Sequence, residues 1–142
     1  MNKFVNLNKN TRLFKVEVEN PVFKRLNEFK ENEVLKVLGM YINNKSTFGD
    51  EPIFIVEDIE DNIFFVNMPK HHLDTLNTII NDSELVQGIN ERECFIKTIS
   101  YYSKRFKKQC YDFEFVSMED FKSFIEEWQK QKAIENDNTQ VF

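Results

Sequence analysis

The chain has 142 residues, enough for one domain with a real core, and is 41% apolar with only three glycines and three prolines. That composition excludes collagen-like, linker-dominated and wholly disordered classes. The protein is acidic overall, at formal charge -5, and MNKFVNLNKNTRLF at its N-terminus offers no apolar run for a secretory core or a membrane span. We therefore expect a cytoplasmic protein without membrane contact, with residues 1–132 forming one globular domain and 133–142 a polar, flexible tail.

The segment RLFKVEVE, Arg12 to Glu19, alternates Leu13, Lys15 and Glu17 with Phe14, Val16 and Val18, the pattern of a half-buried strand. NPVFKRLNEFK follows, with Asn20 as a cap, Pro21 at the first helical position and Val22, Leu26 and Phe29 on one side, which predicts a short helix. Glu33 to Asn44 is rich in strand formers, and Gly39 inside it marks a bulge or a bend. PIFIVED and NIFFVNM read as two strands joined by the acidic turn EDIEDN. Pro69 then opens a helix carrying His72, Leu73, Leu76, Ile79 and Ile80, and Asp82 or Ser83 caps another with Leu85, Val86 and Ile89. ECFIKTISYYS and CYDFEFVS return to strand character; in the second, Tyr111, Phe113 and Phe115 alternate with Asp112 and Glu114, predicting a buried and a solvated face. Ser117 caps a last helix with the stripe Met118, Phe121, Phe124, Ile125 and Trp128.

From the third segment onward the order is strand, strand, strand, helix, strand, strand. That is the element order of the oligonucleotide/oligosaccharide-binding (OB) barrel. The expected fold is α+β: a small antiparallel barrel or strongly curved sheet, with an N-terminal strand and helix extension and a C-terminal helix. An antiparallel sheet with helices on one face is the competing architecture. OB barrels bind on strands two and three and with the loops after strand one and between strands four and five. Here those loops are NNKSTFGDE, with Lys45 and Phe48, and SKRFKKQ.

The second loop is the most distinctive stretch of the chain. Cys94 to Tyr111 holds five basic residues and no carboxylate, with Lys104, Arg105, Lys107 and Lys108 interleaved with Tyr101, Tyr102 and Phe106. Cations neutralise phosphates and aromatic faces stack on bases, which are the two elements of single-strand recognition. A solvated hairpin whose lysines guard a sheet edge is the plainer alternative. The acidic stretch Glu57, Asp58, Glu60 and Asp61, extended by Asp50 and Glu51, lacks calcium-loop spacing and reads as a solvated turn.

No metal or cofactor is expected. His71 and His72 are the only histidines, and adjacent helical residues point about 100° apart, which sets them against sharing one ion. Cys94 and Cys110 show no zinc-site spacing and read as buried thiols. No nucleophile elbow, phosphate loop or dinucleotide fingerprint is present. The fragment Glu28 to Lys30 echoes a nuclease Glu-x-Lys but has no partner aspartate upstream. We expect no enzyme activity.

Gly39, STFGDEP, VNMPKHHL with Pro69, and the tyrosine-rich strand with its basic hairpin resemble small proteins of phages and mobile elements in low-GC Gram-positive bacteria. The resemblance implies a genomic setting that includes replication and recombination factors and inhibitors of host defence, and no catalytic role. The ending IENDNTQVF, with Glu135, Asp137 and Phe142, is similar to the acidic, phenylalanine-terminated tails of single-stranded DNA-binding proteins. The leading expectation is a non-enzymatic module binding single-stranded nucleic acid through Lys45, Phe48, Tyr101, Tyr102 and the Lys104–Lys108 loop. The alternative is an inhibitor of a host protein such as a nuclease, acting through Asp50, Glu51, Glu57, Asp58, Glu60 and Asp61.

Overall fold

The structure, a computed structural model, describes residues 13–45, 47 and 49–139. Five strands form one sheet: β1 (Val34–Asn43), β2 (Glu51–Glu57), β3 (Ile63–Asn67), β4 (Phe95–Ser103) and β5 (Lys108–Val116). Their order is β3-β2-β1-β4-β5, with every neighbouring pair antiparallel. Helices α1 (Leu73–Ile80) and α2 (Ser83–Asn90) lie between β3 and β4 in sequence, and α3 (Met118–Thr139) follows β5. The α+β class and the element order from β1 onward are as the sequence predicts. The sheet is not closed into a barrel, because β3 and β5 are both edges.

The alternation of each strand explains the main core. Leu35, Val37, Phe54, Val56, Val66, Ile96 and Phe113 meet Leu76 and Ile79 of α1 and Val86 and Ile89 of α2 in one buried cluster. Pro69 caps a 3-10 turn (Lys70–His72) that runs into α1. Asp82 caps α2, its carboxylate accepting from the N–H groups of Glu84 and Leu85. Leu85 itself is exposed, so the α2 stripe is narrower than expected. A smaller cluster of Leu38, Ile53, Ile55 and Phe65 occupies the other face. Helix α3 reaches the sheet where Phe121 stacks on Phe95, centroids 4.4 Å apart. Ser117 caps α3 reciprocally with Asp120, and hydrogen bonds from the Ser117 backbone and hydroxyl hold the Asp120 carboxyl below its usual range. Of the expected stripe, Phe121, Phe124, Ile125 and Trp128 are half-buried and Met118 is exposed, and the helix runs past Lys132 to Thr139. Residues 140–142, with Phe142 of the expected tail, lie outside the described residues.

The N-terminal extension departs from expectation. Residues 13–20 form no strand, although Phe14 is buried and Val16 and Val18 are half-buried as the alternation requires. Their backbone is held by side chains instead of a ladder. Asn90 accepts from Lys15 N–H and donates to Leu13 O, and Arg92 donates to Lys15 O. The short helix expected after Asn20 reduces to a 3-10 turn (Leu26–Glu28), because the residues before it pair with the free edge of β3. Phe23 bridges Phe65, Lys24 N–H donates to Phe65 O, and Phe65 N–H donates to Val22 O. That segment covers an edge that would otherwise stand open.

Gly39 follows a bulge, where the β1–β2 register shifts between Val37 and Gly39. A Cβ there would lie 3.0 Å from Phe14 Cβ and 3.1 Å from Val16 Cγ1. Gly39→Val is therefore expected to destabilise by about 1–3 kcal/mol through overpacking. Urea denaturation checks this; an unchanged midpoint would show that the 13–18 segment lifts off without cost.

Candidate functional site

Strand β1 pairs with β4 only from Phe95 to Lys97, whereas β4 and β5 pair from Phe95↔Val116 to Ser103↔Lys108. The β4–β5 hairpin thus projects beyond the ladder of β1. Its outer side chains lose the second layer that buries the rest of the sheet. Tyr101, Tyr102 and Phe106 are 51%, 61% and 62% exposed. Lys104, Arg105, Lys107 and Lys108 are exposed with them. Phe106 N–H is tied to Ser103 Oγ at 3.2 Å, and Lys107 takes φ 51 to close the turn. The Arg105 guanidinium and Lys108 Nζ lie 5.4 and 6.0 Å from the centre of the Phe106 ring. Cations and a ring are therefore grouped on one tip, as the sequence pattern suggested.

The free edge of β5 borders a groove of about 410 Å³. Tyr101, Lys108 and Tyr111 line it from the hairpin, Arg25 from the N-terminal extension, and Pro69 and His71 from the turn before α1. Arg25 and His71 were not among the expected site residues. No local pattern marks them, because the groove forms only where the N-terminal 3-10 turn and the turn before α1, far apart in sequence, both approach β5.

Two expectations about β5 need correction. Phe113 is buried, but Phe115 is 45% exposed and Tyr111 is 42% exposed. As an edge strand, β5 is covered only along its middle, where the His72 ring lies 4.2 Å from Phe113. Asp112 is not solvated as predicted: its side chain is 13% exposed. Its carboxylate receives His72 Nε2 at 2.6 Å on Oδ1 and His71 Nε2 at 3.1 Å on Oδ2. Backbone direction does not keep the two histidines apart: on their 3-10 turn neighbours point about 120° from one another, yet the rings swing together to centroids 4.1 Å apart and both Nε2 atoms reach one carboxylate.

The remaining candidates are dispersed. Lys45 is exposed, its N–H bound to Asn43 Oδ1 at 3.1 Å, and does not line the groove. Phe48 lies outside the described residues. Asp50 and Glu51 enter β2 and Glu57 leaves it, so a strand of 7 residues, roughly 20 Å long, divides the acidic set. Asp58 organises the β2–β3 turn by accepting from Glu60 N–H, Asn62 N–H and the Asn62 amide. Glu57 pairs with Lys36 at 3.7 Å, and Asp61 turns the chain with φ 65. Cys110 lies opposite Tyr101, roughly 20 Å along the strand from Cys94, so the two thiols do not pair. Burial pushes the Cys94 thiol up to about 12, which keeps it protonated and unreactive.

No helix among the described residues is long and apolar enough to cross a membrane. Comparison of the chain with protein-family models, with curated proteins and with solved structures finds no match.

Proposed function

We propose that the protein is a non-enzymatic module, in a phage or mobile-element setting, that binds single-stranded nucleic acid through the β4–β5 hairpin. The observation carrying this reading is the exposure of Tyr101, Tyr102 and Phe106 beside four cations on a hairpin that outruns the sheet. Apolar rings left in water cost free energy unless a partner covers them. Bases offer flat partners, and the intervening phosphates suit Lys104, Arg105, Lys107 and Lys108. Arg25 extends the positive lining into the groove beside β5. The strand order β3-β2-β1-β4-β5, with helices between β3 and β4, also fits an OB-like sheet opened between its third and fifth strands.

One observation favours the alternative, a surface that docks on a host protein. A groove of about 280 Å³ sets Glu57, Asp58 and Asp61 beside Phe121, Ile125 and Trp128. Acidic and aromatic groups together suit a basic protein partner. Asp50 and Glu51 stand too far along β2 to join that surface.

Fluorescence anisotropy of a labelled single strand at low salt separates the two. The wild type is expected to bind, and Phe106→Ala to weaken binding by about 1–3 kcal/mol with an unchanged salt slope, since stacking is uncharged. Absence of any single-strand affinity at low salt would retire the nucleic-acid reading and leave the docking surface.

A further inference from the structure

We propose that His71, His72 and Asp112 form a binding site for a divalent transition-metal ion of the zinc type. One ligand atom from each of the three residues lies within 4.8 Å of the others. The ligands come from two separate elements, the 3-10 turn before α1 and the free-edge strand β5.

The arrangement is set before any ion arrives. Phe113 N–H donates to Asp112 Oδ1 at 2.8 Å and fixes the carboxylate. The His72 ring is fixed by Phe113 and its side chain is 15% exposed. Such support is what orients metal ligands. Half-buried His72 needs a hydrogen-bond partner, and Asp112 supplies one. His71 has no such need, because its side chain is 61% exposed and water is available to it. It nevertheless directs Nε2 at the second oxygen of the same carboxylate. Two imidazoles converging on one carboxylate is a ligand set, and more than a structural hydrogen bond requires.

The chemistry selects the ion. Two neutral imidazole nitrogens and one carboxylate oxygen suit zinc, cobalt(II) or nickel, whereas magnesium and calcium favour oxygen throughout. Ligand atoms about 2.0 Å from a tetrahedral centre stand about 3.3 Å apart, so the imidazole–carboxylate contacts of 2.6 and 3.1 Å would open slightly and the widest separation in the set, within 4.8 Å, would close by up to about 1.5 Å. The fourth position would face the groove lined by Arg25, Lys108 and Tyr111, where a water or an anion completes the sphere. This site does not depend on the nucleic-acid reading.

Isothermal titration of the whole chain with zinc chloride is expected to show one ion per chain. Cobalt(II) is expected to give visible absorption bands of tetrahedral type that zinc removes. His71→Gln changes an exposed side chain, so folding should survive, as circular dichroism and a thermal melt will show. That variant should bind zinc at least about tenfold more weakly, the loss typical of weakening even the outer support of a metal ligand. Asp112→Asn should do the same. Failure of the wild type to bind one equivalent, or unchanged affinity in folded His71→Gln, would overturn the site. Displacement of zinc by equimolar magnesium would overturn the assigned chemistry.

Discussion

Phe113→Ala is expected to lower stability by about 3–5 kcal/mol as a large truncation in a packed core. Phe115→Ala is expected to cost about 1 kcal/mol or less, as at a largely exposed position. The two residues share a strand and a face, yet Phe113 is 4% exposed and Phe115 is 45% exposed. Phe113 joins Phe54, centroids 5.1 Å apart, to the His72 ring on its other side. Removing it opens a void between the sheet and α1 and loosens the turn that carries both histidines. Phe115 packs edge-on against Phe113, centroids 5.4 Å apart, and lies 6.5 Å from Phe54, but nearly half of it stays in water. Urea denaturation of both variants decides it; the reverse ranking would mean that β5 sits deeper in the sheet than the structure places it.

Periodicity made most of the fold legible. Strands β1 to β4 follow from runs of strand-forming residues bounded by turns, β5 from alternation, and helices α1 to α3 from apolar stripes and the start signals at Pro69, Asp82 and Ser117. Gly39 marked its bulge because a strand rarely tolerates glycine inside without a reason. The N-terminal extension was misread because alternation reports which side is buried and not what accepts the backbone hydrogen bonds. Phe14 is buried as predicted, but Asn90 and Arg92, far along the chain, satisfy the backbone in place of a neighbouring strand. Pro21 is as compatible with an extended edge segment as with a first helical turn, and the open edge of β3 decided between them.

The candidate site was half legible. The basic-aromatic hairpin is contiguous in sequence, and its exposure follows from the offset of β1 and β4, which pair only from Phe95 to Lys97 and leave the rest of β4 running past the start of β1. The His71, His72 and Asp112 cluster was not legible. Asp112 reads locally as the solvated member of an alternating strand, and only the meeting of the β5 edge with the turn before α1 makes it a shared acceptor. The acidic set looked continuous because Asp50 to Asp61 is short in sequence, but extended chain is long, and β2 carries its two halves apart.

The central claim is that the exposed cations of the hairpin hold phosphates. Changing Lys104, Arg105, Lys107 and Lys108 together to Gln removes four positive charges from side chains that are all exposed, so the fold should be preserved. Each lost phosphate contact on a single strand removes about 0.7 from the slope of log affinity against log salt, so the slope should fall by up to about 3. At about 0.1 M salt the same loss corresponds to a roughly 10²–10³-fold weaker complex. The measurement is the affinity for a labelled single strand across a salt series, for wild type and quadruple variant side by side. A steep wild-type slope that flattens in the variant is the predicted result; equal slopes in the two proteins would contradict the claim.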